Sequence, residues 1–466
     1  VRLSTALLAA LSLAIATPVT AQNPPPQPVR DSARRAQDTL SLDSLLARLE
    51  RAEAAIAILR QQIADESESA VQTRSRFHLE LSAQVLTNAF FTAGRVNNAD
   101  DPQTVLVPPA PGLTPPTNSA LGVTLRQTRL GAATSIDNVA GATFAGDIDV
   151  DFFGGVQNGS GDRRLFPELR MRTARARLLW PHTELMFGSD TPLISDLNPL
   201  SLAAVGIPDF SGAGNLWNWL GQVRITQDIG SLGSGSGRLR WAIQGALMTP
   251  YAAQVVPGEP DIVDAGERSS RPAIEGRLRT RWGGGVNGTG TASTVSGAMI
   301  GSYGGEIGIG IHHSWIATSP GVMQESYAVA LDGHMLIAPH VELRGEAYSG
   351  RLLRGLGGGA IGQNFGTPPI GAPPNSLGPP IRDKAGWAQV NIQPREAIIS
   401  GLGCGIDSTD PHDNPTRIQN TVCAAHAEWR PVQPLVFGFE YRQLWTRYSD
   451  NTYTARHFNL IFGFEL

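Results

Sequence analysis

The chain has almost no lysine: Lys384 is the single one among 37 basic residues, and the other 36 are arginine. With 41 acidic residues the formal net charge is -4, so the balance names no polyanionic partner, and the arginines are spread over alternating segments with no nucleic-acid module. Arginine is the side chain best suited to paired recognition of carboxylate and phosphate, although a genomic bias toward arginine codons gives the same count. Cysteine is nearly as scarce. Cys404 and Cys423 are the two present, placed symmetrically about a polar loop. Ile398, Leu402 and Ile406 share the phase of Cys404, and Ala425, Ala427 and Trp429 share that of Cys423. A cross-strand disulfide fits this arrangement in an exported protein, as do two unpaired small hydrophobes. No His or Cys at ligand spacing stands beside them, which argues against a metal site.

Past the N-terminal stretch, no apolar run approaches the about 18 residues that a membrane helix needs. Membrane residence therefore requires a closed barrel of strands. The composition, 41% hydrophobic and 17% charged with 52 Gly and 33 Pro, is neither that of a helical membrane protein nor that of a disordered chain. Catalytic motifs are missing as well: no nucleophile sits beside a base in a recognisable pattern. The glycine-rich GGGVNGTG (283 to 290) lacks the strand-to-helix context of a phosphate cradle. His312 and His313 are neighbours in a strand-like segment and so point to opposite faces. Asp407, Asp410 and Asp413 fall in a polar stretch that reads as a solvated external loop, with a divalent-cation or lipopolysaccharide bridge as the other reading. No cofactor is implied.

What is present comes in blocks. Arg2, the apolar run Leu3 to Ala16 and TPVTAQ form a signal peptide over 1–21 with cleavage after Ala21. A Pro-rich spacer, 22–41, contains PPPQP. Leu42, Leu45, Leu49, Ala52, Ile56, Leu59 and Ile63 then alternate spacings of three and four, which predicts an α-helical coiled coil over 42–66, a lone amphipathic helix packed on its own domain being the other reading. From 76 to 466 the period is two. Phe77, Leu79, Leu81 and Val85 alternate with His78, Glu80 and Gln84, and the terminal Phe458, Leu460, Phe462, Phe464 and Leu466 alternate with His457, Asn459 and Glu465. We count about sixteen segments of the roughly ten residues a tilted membrane strand needs. Long polar connections (92 to 119, 155 to 168, 194 to 219, 251 to 272, 356 to 383, 409 to 419) alternate with tight ones such as DNVAG, PHT, APH, QPR and PVQP, which is the asymmetry of an outer-membrane barrel. One connection, 283 to 298, is long where a short turn is due. Trp180, Trp282 and Trp429 near strand ends fit interfacial girdles. The expected fold is all-β, a 16-stranded antiparallel transmembrane β-barrel with an N-terminal coiled-coil extension.

In LRQTRLG (125 to 131), GDIDVDFFGG (146 to 155) and LRMRTARARLLW (169 to 180) the chain resembles the DcaP-like trimeric porins of bacterial outer membranes. The order of signal peptide, coiled coil and barrel is also similar. The resemblance implies sixteen strands, a homotrimer, a periplasmic extension, and a channel favouring small anionic solutes such as dicarboxylates. Resemblance to outer-membrane proteins further implies contact with membrane lipid and lipopolysaccharide, and recognition of the last strand by barrel-assembly machinery.

The polar phase of each strand should face the lumen, because Arg or Lys on the lipid face near the midplane costs about 2 to 4 kcal/mol. This points Arg224, Arg238, Arg240, Arg277, Arg279, Arg281, Arg344 and Arg442 inward. Arg170 and Arg172 are in one phase and Arg175 and Arg177 in the other, so either a bulge near Thr173 and Ala174 resets the strand or the second pair lies at the interface. Arg126 and Arg129 conflict in the same way, and Arg129 is favoured as luminal. Rows of arginine beside Asp147, Asp149 and Asp151 would make a transverse field for a solute carrying carboxylates. The connection Ile194 to Trp219 has the length and apolar content of a loop folded into the pore, with Asp196, Asp209 and Phe210 at the constriction; an external loop packed on a neighbouring protomer is the competing reading. The function expected is passive passage of small hydrophilic solutes with an anion preference. The alternatives are a phosphate-selective porin, a non-conducting envelope anchor, and an outer-membrane hydrolase needing a Ser and a His together on one outer wall.

Overall fold

The computed structural model describes residues 78–109, 118–154, 167–233, 238–258, 263–283, 304–319 and 321–466. The two-residue alternation becomes strand throughout. In chain order these are β1 (His78–Ala93), β2 (Ser119–Thr124), β3 (Arg129–Val139), β4 (Ala142–Asp151), β5 (Arg170–Leu179), β6 (Thr183–Asp190), β7 (Leu220–Leu232), β8 (Leu239–Met248) and β9 (Ala273–Trp282). They continue as β10 (Gly305–Ser319), β11 (Val322–Ala338), β12 (Val341–Arg351), β13 (Arg382–Arg395), β14 (Ile398–Thr409), β15 (Gln419–Trp429), β16 (Leu435–Arg447) and β17 (Thr452–Glu465).

All neighbours are antiparallel, and β17 pairs with both β16 and β1, which closes the sheet. The upper part of β1 pairs with β2 and the lower part with β3, so these two of the seventeen segments are one interrupted strand and the wall has sixteen staves. Closure leaves no unpaired edge, the condition under which strands can cross a bilayer. The two faces separate by phase. On β17, Phe458, Leu460, Phe462 and Phe464 are exposed on the outside while His457, Asn459 and Ile461 are buried within; Ile243, Leu247, Ile309, Ile311, Val329 and Leu331 extend the same apolar outer band. Trp180, Trp282 and Trp429 all fall at one end of the barrel, where Trp429, Phe437 and Phe462 touch with ring centroids 5.6 and 5.7 Å apart, as in an interfacial belt.

Strand 2 is interrupted at Leu125 to Thr128. Across the gap the Thr128 hydroxyl accepts from Leu86 N–H at 3.0 Å and donates to Leu86 C=O at 3.2 Å, taking the place of a missing ladder pair. Three consecutive side chains, Arg126, Gln127 and Thr128, are thereby buried inside, which an unbroken strand cannot do.

Two expectations need correction. The coiled-coil extension is withdrawn: 42–66 lies outside the described residues, and the longest helical element among the described residues is the four-residue turn Gly359–Gly362. Spacings of three and four state which face of a helix would be apolar; they do not establish the helix, because so short a helix is stable only when its seam is covered. The alternation of long and short connections also fails twice. The β9–β10 connection is long at the short-turn end, and β10–β11 is a tight turn at the long-loop end, Ser319 being register partner of Val322.

Candidate functional site in the barrel lumen

The interior is occupied by the connection 191–219. Ile194 N–H donates to Glu275 on β9 at 2.9 Å. Gln389 on β13 holds Leu200 from both sides, accepting its N–H at 2.8 Å and donating to its C=O at 2.9 Å. Ser201 donates to Glu440 on β16. Gln127, in the interruption of strand 2, donates to Ala203 C=O at 2.7 Å and accepts Gly206 N–H at 2.6 Å. Asn420 on β15 donates to Gly212 C=O at 2.9 Å, and Leu216 N–H donates to Glu346 on β12 at 3.4 Å. A segment bound in turn to β9, β13, β16, strand 2, β15 and β12 crosses the barrel, and every partner is an inward residue.

Two glycines let it lie against the wall. A Cβ on Gly310 would stand 2.1 Å from Ile194 O, and one on Gly405 2.2 Å from Ala213 O. Other segments enter too: Val105 N–H donates to Thr446 at 2.8 Å, and the N–H groups of Ala360 and Ile361 donate to Asp383 at 2.8 Å and Asp407 at 2.9 Å.

On the β3–β5 wall the predicted acidic row and the predicted arginines meet directly. Arg129 pairs with Asp149, Arg170 with Asp151 at 2.6 Å, and Arg172 with Asp149 and Asp151 at 3.2 and 3.0 Å. Arg175 reaches Asp147 at 2.8 Å and Asp190 at 3.4 Å, and Arg177 reaches Asp147 at 3.2 Å. All four β5 arginines face inward because the register against β4 shifts between Asp149 and Val150: the strand carries a bulge at Arg172. The transverse field expected of these rows is thus spent on short pairs along the wall, since strand register brings the opposite charges into contact. Arg126 is luminal as well as Arg129, paired with Asp100 at 3.0 Å and stacked over Phe153 at 4.0 Å.

On the far wall, β8 and β9 turn Arg240, Arg277, Arg279 and Arg281 inward, and Arg240 is the register partner of Arg281. Arg277 contacts Asp196 of the crossing loop at 3.3 Å, Glu306 at 3.5 Å and Asp332 at 2.5 Å; Arg281 pairs with Glu306. Arg224 on β7 pairs with Asp190 at 3.3 Å. Arg344 bonds Glu342 and donates to Asn198 C=O of the loop at 2.8 Å.

Three of the anticipated residues lie elsewhere. Arg238 is exposed at the β7–β8 turn, donating to Ser231 at 2.7 Å, because it precedes the strand. Asp209 and Phe210 are buried: Asp209 pairs with Arg442 at 2.8 Å and Phe210 stacks on Trp387 with centroids 5.7 Å apart. They fasten the loop to the wall, leaving Asp196 beside the arginines. Glu275, Asp332, Glu346, Gln389 and Glu440 escaped the sequence reading. Their phase marks them as inward, but nothing local marks Asp332 as the partner of Arg277 or the other four as loop anchors.

Ser314, His312 and Glu275 form a chain of contacts at 3.1 and 2.8 Å. They are buried on the inner wall, where the second Glu275 oxygen takes the loop amide of Ile194; a hydrolase on the outer wall would need them elsewhere. Cys404 and Cys423 face each other across β14 and β15 with Cα atoms 4.1 Å apart and are disulfide-bonded, in the outward phase with Leu402 and Ile406.

No protein-family model and no curated protein matches the chain. Among solved structures, the barrel is similar to the outer membrane channel DcaP of Acinetobacter baumannii, at 16% identity and a TM-score of 0.58 over 85% of this chain and 100% of that one. Looser likenesses are an anion-selective porin from Comamonas acidovorans (11%, 0.47, 83% and 100%) and OprB of Pseudomonas putida (8%, 0.47, 83% and 94%). The first shows the fold, a sixteen-stranded transmembrane β-barrel of the outer-membrane porin type; the two looser ones add nothing to it.

Proposed function

We propose that the chain is an outer-membrane porin that passes small hydrophilic solutes passively and prefers anions such as dicarboxylates. The observation that carries this reading is the loop 191–219 pressed through the lumen, with Asp196 set against the inward arginines of β9. Arg240 and Arg281 are register partners there, and with Arg277 and Arg279 they gather four guanidiniums on one wall, which supports a positive field for an anion to enter. No covalent chemistry is needed.

The homotrimer, the contacts with lipopolysaccharide and the periplasmic position of the chain ahead of β1 belong to the same proposal. So does the signal peptide over 1–21. The trimer rests on the similarity of 125 to 131, 146 to 155 and 169 to 180 to DcaP-like porins; handling by barrel-assembly machinery is supported by the exposed apolar phase of β17. Single-channel recording in planar bilayers under a salt gradient tests the function. Conductance in steps of three with an anion-biased reversal potential is expected, and a folded barrel that does not conduct would overturn the reading.

A further inference from the structure

The inward arginines are in two conditions. Arg129, Arg170, Arg172, Arg175, Arg177, Arg224 and Arg277 each lie within salt-bridge distance of a carboxylate, and are part of the wall. Arg279 is not. It points inward from the middle of β9 between Arg277 and Arg281, is 8% exposed, and among the described residues has no hydrogen bond or ion pair. Its Nε is buried with no acceptor.

The reason lies in its neighbours. Directly across from Arg279 stand Ala242 on β8 and Gly308 on β10, neither of which carries an acceptor side chain. The place a Gly308 side chain would fill is taken by the Arg277 guanidinium, whose Nη2 lies 2.1 Å from the position of a Cβ there. Arg277 leans through that gap to Asp332 on β11 at 2.5 Å. The carboxylates around the β9 arginines are committed: Asp196 and Asp332 to Arg277, and Glu306 to Arg277 and Arg281.

A buried cation without an acceptor is unfavourable, and a guanidinium offers a fixed fork of donors that matches an oxyanion through two parallel hydrogen bonds. We propose that Arg279 is the docking residue of the lumen for a carboxylate or a similar oxyanion, gripped by that fork beside the loop residue Asp196, while the paired arginines hold the architecture. The inference rests on the reading of the barrel as a pore. The flanking Arg277 and Arg281 are each ion-paired, to Asp332 and Glu306, and so compete less for the ligand. Asp196 on the facing loop opposes full neutralisation, which keeps the bound anion exchangeable, as conduction requires.

The test is sodium succinate titration of the refolded full chain in planar bilayers, comparing wild type with R279Q. Wild type should be blocked by succinate, and R279Q should conduct with its half-blocking concentration raised about tenfold, the loss expected for one charge-assisted pair. Unchanged block in R279Q overturns this inference and leaves the pore standing. Conductance of the wild type without succinate block overturns it as well. Absence of conductance from folded wild type removes the pore reading and this inference together. Should R279Q fail to show the heat-modifiable migration of a folded barrel, R279K decides: it keeps the charge and loses the fork, so weaker block supports the assignment and equal block overturns it.

Discussion

Arg442 Nη1 lies 2.7 Å from Asp101 Oδ1, although the two residues are 341 positions apart in the chain. The same guanidinium reaches Asp209 at 2.8 Å and also Glu440, so one side chain on β16 ties the connection after β1 and the connection after β6 to the wall. All four residues are buried. R442M would strand three buried carboxylates, and breaking such a pair costs about 3 to 5 kcal/mol. The expected outcome is a lower urea midpoint together with noisier single-channel current, both partly restored when Asp101, Asp209 and Glu440 are changed to their amides.

Gly310 sets how closely the loop can approach β10. G310A places a methyl group where Ile194 O now lies, and overpacking of this kind costs about 1 to 3 kcal/mol. Unfolding in urea should show that loss, with a change in conductance as Ile194 is pushed into the lumen. G276A is the control, since a Cβ there meets no atom closer than 3.5 Å; its midpoint should match the wild type.

The Cys404–Cys423 bond spans 19 positions of sequence, for which loop-closure entropy gives up to about 3 kcal/mol. C404A/C423A should therefore unfold at a lower denaturant concentration than the oxidised wild type. Because the bond is on the outward face, reduction of the folded barrel should leave ion selectivity unchanged; a shift in reversal potential on reduction would show that this face communicates with the lumen.

Asp410, in the exposed connection between β14 and β15, accepts the His412 N–H at 3.0 Å, and the His412 ring Nδ1 lies 2.9 Å from the same oxygen. The backbone bond and then the side-chain bond hold this carboxyl below its ordinary value. A carboxyl lowered in the folded state contributes its full stabilisation above the unfolded value, near pH 4, and loses it as pH falls through the folded one. D410N should thus exchange the His412 amide faster than wild type at neutral pH, with the difference shrinking as pH falls through the lowered folded-state value.

Much of the barrel was legible from phase alone. Phe458, Leu460 and Phe462 declare their face by alternation, and Arg277, Arg279 and Arg281 declare theirs by the cost of charge in lipid. What a single strand does not reveal is its register against the next. That is why Asp147, Asp149 and Asp151 read as a free acidic row although they meet Arg129 and the β5 arginines. Bulges were visible only as conflicts: Arg172 and Arg175 demanded a phase reset, while the placing of it depends on β4. The loop anchors Glu275, Gln389 and Glu440 were hidden because their loop partners lie 81, 189 and 239 positions away in the chain. The heptad spacing at 42–66 is the opposite lesson: such spacing names the apolar face a helix would have without establishing the helix.

The interruption at Leu125 to Thr128 changes how much chemistry one strand can turn to the barrel interior. A regular strand spends every second residue on lipid, so a designer of the lumen works with an alphabet in which alternate letters are already taken. Here a single threonine hydroxyl patches the seam and frees Arg126, Gln127 and Thr128 to stand side by side. The same four-residue break, transplanted to another stave of the barrel, offers a way to write contiguous recognition sequences on an inner wall without widening the pore.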